Sequence, residues 1–125
     1  MERVVMLVVP KWQERALISA QLQEEGYRIK AFQNIEAAAA YLCHAPSIPD
    51  LVVLDLKGIA VSLEKLKAFR LLLGETPLVL CASPYGRDPE AEKALNPSQI
   101  LVRPFAVKDV VEAVRKLVPL SSPNS

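Results

Sequence analysis

The chain has 125 residues, a length that suits one domain, and 51% of them are apolar, enough for a core held without disulfides or metal. Its formal net charge of +1 supplies no field to draw in nucleic acid or an anionic membrane surface, so neither is expected as a direct partner. No apolar run approaches the length of a membrane span, and Met1-Glu2-Arg3 followed by an apolar run is not a secretory signal, so the expected location is the cytoplasm.

The first element is a β-branched run from Val4 to Val9, stopped by Pro10. From Trp12 to Glu25 the apolar residues Trp12, Ala16, Leu17, Ala20 and Leu22 recur at helical spacing, and Gly26 supplies the left-handed stop. Arg28 to Phe32 reads as a short strand. Asn34 caps an alanine-rich helix from Ile35 to His44, and Pro46 and Pro49 mark a loop. Leu51 to Leu54 is a short, wholly apolar strand that ends on Asp55. Ser62 caps a helix from Leu63 to Leu73 that Gly74 ends. Pro77 introduces a strand from Leu78 to Ala82. Asp88-Pro89 opens a short helix that ends near Leu95, with proline in its first turn. Ile100 to Val102 is a fifth strand. Val107 to Val118 is a last amphipathic helix with Val110, Val111, Val114, Leu117 and Val118 inward. The polar tail Pro119 to Ser125 reads as a frayed end or the start of a linker, leaving a domain over 1–118.

Strict alternation of strands and helices forces parallel strands joined by right-handed crossovers. Five such units give an α/β, three-layer, doubly wound sheet in the order 2-1-3-4-5, flavodoxin-like in architecture. Its crevice lies between the first and third strands, past their carboxyl ends. That places Pro10 and Lys11 beside Asp55.

Four landmarks carry a resemblance at this point. They are Glu24-Glu25-Gly26-Tyr27 after the first helix, Pro49-Asp50 leading into Leu51 to Leu56, Thr76-Pro77 before the fourth strand, and Arg103-Pro104-Phe105 after the fifth. In this order and spacing the chain resembles the receiver domain of two-component response regulators. The resemblance implies that Asp55 stands at the phosphoacceptor position. It also implies a magnesium ion held by that aspartate and by a pair of acids after the first strand. Here that place is taken by Val9, Pro10 and Lys11, and neither register of the alignment supplies a carboxylate. Glu14, inside the helix, reads as a poor substitute. A hard cation wants carboxylates, so the expectation is that no metal is held and that Lys11 or Arg103 pairs with Asp55 in its stead.

The resemblance shows further departures. Ala82, with Ser83 following, stands where the family carries a hydroxyl. Arg103 replaces a lysine, and Ile100 occupies the position of an aromatic switch. The bond before Pro104 is commonly cis in that family.

The expected function is therefore an atypical receiver, a non-enzymatic protein-interaction module in signalling that works without phosphorylation and without a cofactor. The alternative is a working phosphoacceptor, phosphorylated on Asp55 by a histidine kinase with magnesium. Expected partners are proteins, a histidine kinase or an output domain. A homodimer through the fourth helix, fifth strand and fifth helix is a further candidate, since Arg87, Asp88, Glu90, Glu92 and Lys93 mix both signs on one short helix. Trp12 reads either as a partner anchor or as a cover for the end of the core.

Other classes find little support. Pro10 to Glu14 has neither glycine nor hydroxyl with which to cradle a flavin or nucleotide phosphate. One histidine and no nucleophile elbow leave a hydrolase unsupported. Cys43 and Cys81 lack a ligand pair at zinc spacing and read as two small buried thiols in a reducing compartment.

Overall fold

A computed structural model describes residues 2–56 and 61–120. The elements follow the expected alternation: β1 Val4–Val8, α1 Trp12–Glu25, β2 Arg28–Phe32, α2 Ile35–His44, β3 Leu51–Asp55, α3 Leu63–Leu73, β4 Leu78–Ala82, α4 Pro89–Leu95, β5 Gln99–Val102 and α5 Val107–Leu117. All strands are parallel, in the order β2-β1-β3-β4-β5. This is the doubly wound, flavodoxin-like architecture.

The punctuation works as its chemistry dictates. Asn34 and Ser62 accept the backbone N–H of Ala37 and Lys65, and Asp88 accepts those of Glu90 and Ala91. Gly26 ends α1 at φ 111°, a conformation a side chain resists. A Cβ there would also stand 3.0 Å from Leu120, which packs on the core. The part of the expected polar tail beyond Leu120 lies outside the described residues.

Alternation along the strands sorts the core into two layers. Val5, Leu7, Val9, Leu51, Val53, Val79 and Cys81 face α1 and α5. Met6, Val8, Val52, Leu54, Leu78 and Leu80 face α2, α3 and α4, where Phe69 and Leu95 fill the space. Fully burying an aliphatic side chain stabilises by about 1.5–3 kcal/mol, so these two layers carry most of the fold.

Polar ties close the ends. The Tyr27 hydroxyl donates to the Val118 carbonyl at 2.7 Å, fastening the end of α5 to the start of β2. Arg70 spans the far edge, its Nε donating to Leu95 O at 2.8 Å and its Nη1 to Thr76 O at 2.8 Å. It thereby ties α3, β4 and α4 together.

Two expectations are corrected. Of the α1 residues expected to face inward, Leu22 is buried, but Trp12 is 65% and Leu17 61% exposed, and Ala16 and Ala20 are exposed as well. Ile18 takes their place. The helix is rolled so that the row Glu14, Ile18 and Leu22 meets the sheet, which brings two charged side chains, Glu14 and Arg15, to polar partners at the sheet edge. Trp12 consequently does not cover the end of the core. A second correction concerns Cys43, which is exposed on α2, whereas Cys81 is buried as expected.

Candidate functional site

Asp55 closes β3, opposite Cys81 of β4. It shares the parity of Leu51 and Val53, so its side chain lies in the layer of α1 and α5. At 4% exposure it is the one charged side chain among the described residues that is buried. Such a carboxylate requires a counter-charge and hydrogen bonds.

Arg103 supplies both. It follows β5 with the parity of Leu101, and its backbone N–H donates to Ala82 O at 2.8 Å, continuing the ladder by one residue. From there its guanidinium reaches back across the strand ends. Nη2 donates to Asp55 Oδ2. The same Nη2 donates to Glu14 Oε1 at 2.7 Å, and Nη1 to Glu14 Oε2 at 3.1 Å, a two-pronged pairing. The guanidinium carbon lies 4.8 Å from the centre of the Phe105 ring, within cation–π range. Hydrogen bonds to Glu14, and then the charge of Asp55, hold Arg103 above the ordinary arginine range against the opposing effect of burial. Its Nε is buried without a hydrogen-bond partner among the described residues.

Glu14 is the residue that sequence reasoning missed. It sits in the first turn of α1. Cα–Cβ bonds in a helix tilt toward the N-terminus, so a long side chain there leans back over the strand ends. Its carboxylate, read from the sequence as a poor substitute, is one of the two acids at the site. Arg15 was missed as well: its Nη1 donates to Val9 O at 2.8 Å and Pro10 O at 3.3 Å, holding the β1–α1 connection.

The other expected residues divide clearly. Val9 is buried in the core, and its N–H donates to Phe32 O at 3.0 Å. Pro10 is half-buried and Lys11 is exposed, so the cation expected from either Lys11 or Arg103 is Arg103. Ala82 ends β4 in register with Val102. The Ser83 hydroxyl oxygen accepts the Tyr85 N–H at 3.2 Å, a local turn contact. Arg103-Pro104 is cis, and Pro104 is exposed. Ile100 packs against the layer that contains Leu80 and Leu95.

These residues do not fit a divalent cation. Among the described residues no three acids, histidines or cysteines converge, and the space between the two carboxylates that do meet is bridged by a guanidinium nitrogen. A hard cation that favours six or more oxygens gains little there.

Cys81, beside Asp55 in the ladder, has its thiol pushed up to about 12, first by burial and then by the Asp55 charge. It is neutral and inert at neutral pH. Native protein treated with iodoacetamide should therefore take up one equivalent, at Cys43, with Cys81 alkylated only after unfolding. Peptide mapping by mass spectrometry checks this.

No protein-family model matches the chain, and no curated protein matches its sequence. Solved structures do. The chain is similar to the chemotaxis protein CheY4 of Vibrio cholerae, with 22% identity, a TM-score of 0.77, and 94% of this chain and 100% of that one covered. It is similar to the receiver domain of the Francisella response regulator 1452, with 17% identity, a TM-score of 0.75, and 93% and 96% covered. It also matches an adenylate cyclase of Rhodopirellula baltica, with 13% identity, a TM-score of 0.79, and 94% and 88% covered. These likenesses establish a shared fold. Among the described residues no helix is long and apolar enough to cross a membrane.

Proposed function

We propose that this chain is a receiver-type signalling module, non-catalytic and cytoplasmic, that works without phosphorylation and without a metal cofactor. It presents one conformation of its surface to protein partners, a kinase or an output domain. The observation that carries this reading is the guanidinium of Arg103 bridging Asp55 and Glu14. Phosphoryl transfer to a carboxylate needs positive charge on the transferring oxygens and an open line of attack on the acceptor. Here the acceptor-position oxygen Oδ2 already receives a charge-assisted hydrogen bond, and the charge is covalently tethered. The partner face we favour is formed by α4, β5 and α5. It carries the open edge of β5 and a groove of about 420 Å³ lined by Ile100, Val102, Phe105, Asp109 and Lys116 among others.

The test is incubation with a small phosphodonor such as acetyl phosphate and magnesium, followed by intact mass. The expected result is an unchanged mass. An adduct of about 80 Da, lost in Asp55→Asn, would establish the alternative of a working phosphoacceptor.

A further inference from the structure

We propose that Phe105 is a positioning residue whose ring face holds the Arg103 guanidinium on its two acids. This rests on the tethered-cation reading of the bridge and names the part that keeps the bridge closed. A guanidinium has five N–H bonds to satisfy. Nη1 and Nη2 donate to Glu14 and Asp55. Nε is buried and has no hydrogen-bond partner among the described residues. It is bonded to the carbon that lies 4.8 Å from the centre of the Phe105 ring, so it stands within reach of that ring. An aromatic face is electron-rich. It attracts the delocalised cation and offsets the missing acceptor for one N–H.

The ring is itself held in place. Phe105 is half-buried and packs on the core layer of α1 and α5, the layer in which Asp55 lies. The arginine side chain, by contrast, is long and has many rotamers, several of which would carry its head out past the strand ends to water. The Glu14 side chain is 25% exposed, so its half of the bridge competes with solvent. A ring fixed by the core covers Nε and favours the one rotamer in which both acids are reached. Phe105 also lines the groove along β5 and α5, so the ring that fixes the cation is shared between the site and the partner face. Packing and electrostatics are separable at this position. Leucine fills much of the same space without a π-face, whereas tyrosine keeps the face.

Nitrogen-15 NMR of the arginine side chains in the whole chain tests the proposal, with the Arg103 Nε–H assigned as the signal missing from Arg103→Met. In the unmodified protein this proton should be shifted upfield by the ring and exchange slowly with solvent. Phe105→Leu should remove the shift and speed the exchange about fivefold, whereas Phe105→Tyr should stay within about twofold of the parent. The backbone N–H of Arg103, which donates to Ala82 O, is the control for general loosening and should change less than about twofold in either variant. An Nε–H indifferent to Phe105→Leu, a tyrosine variant no better than leucine, or a backbone N–H that speeds up in parallel would overturn the proposal, the last by reducing the ring to a packing role. The bridge itself is read separately from the Nη signals. Resolved Nη signals beside an indifferent Nε–H would overturn this proposal alone. Nη signals already averaged by free rotation in the unmodified chain would overturn the bridge and the proposal together.

Discussion

Replacing Arg103 with methionine should lower folding stability by about 3 kcal/mol, measured by urea denaturation at neutral pH. Breaking a buried ion pair from one side typically costs about 3–5 kcal/mol, because the remaining charge is left without its partner. The lower end applies here, since the Glu14 side chain is 25% exposed and regains water, whereas Asp55 is 4% exposed and does not. Methionine keeps an apolar stem of similar length but removes the guanidinium that lies over Phe105, so the loss reports the charged head group with its ring contact. A variant within about 0.5 kcal/mol of the parent would mean that the guanidinium is incidental.

The larger functional consequence is a gain. Arg103→Ala leaves two carboxylates, from Asp55 and Glu14, that in the parent both contact one nitrogen. With the tethered cation removed and its volume open to water, a divalent ion can take its place between them, completing its shell with solvent. Two carboxylates support only weak binding, with Kd on the order of 1 mM. At ten times that concentration the ion should restore about 1.4 kcal/mol of the stability lost. Adding Glu14→Gln to Arg103→Ala should abolish the rescue, whereas a general salt effect would be unchanged by it. Thermal denaturation with and without 10 mM manganese or magnesium separates the two cases.

The fold was legible because its punctuation is chemical. Leu51 to Leu54 is too short for a buried helix and apolar on both sides, as a central parallel strand must be. Gly26, Ser62 and Asp88-Pro89 set helix ends that the structure reproduces. Differences at strand ends are one residue and physically slight; Val9 lies beyond β1 yet still donates to Phe32.

The site was legible only in part, and the misplacing of Glu14 and of Trp12 has one cause. Helix α1 offers two apolar faces, Trp12-Ala16-Ala20 with Leu17 and the row Ile18-Leu22, and periodicity alone does not choose between them. Taking the first as inward turns Glu14 away from the sheet edge. Taking the second brings Glu14 to Asp55 and leaves Trp12 exposed, as the structure has it. The deciding signal lay outside hydrophobicity: Arg103 carries more hydrogen-bond capacity than Asp55 alone can meet, and a second acid within reach was to be expected. Asp55 and Arg103 themselves were found because both stand at strand ends, where order 2-1-3-4-5 gathers them. The inward placement of Cys43 failed for a related reason, since an alanine-rich helix such as α2 marks its buried face weakly.

The central claim is that in the native protein the Arg103 guanidinium holds the place of a divalent cation. Titration of the unmodified chain with magnesium, then with beryllofluoride, tests it most directly, followed by the fluorescence of Trp12, the single tryptophan, which opens α1 beside the site. The expected result is a flat response with both additions, with Arg103→Ala responding to magnesium under the same conditions. A saturable response of the unmodified chain to magnesium, enhanced by beryllofluoride and lost in Asp55→Asn, would show that Arg103 yields the site to a metal and that the phosphoacceptor chemistry is intact.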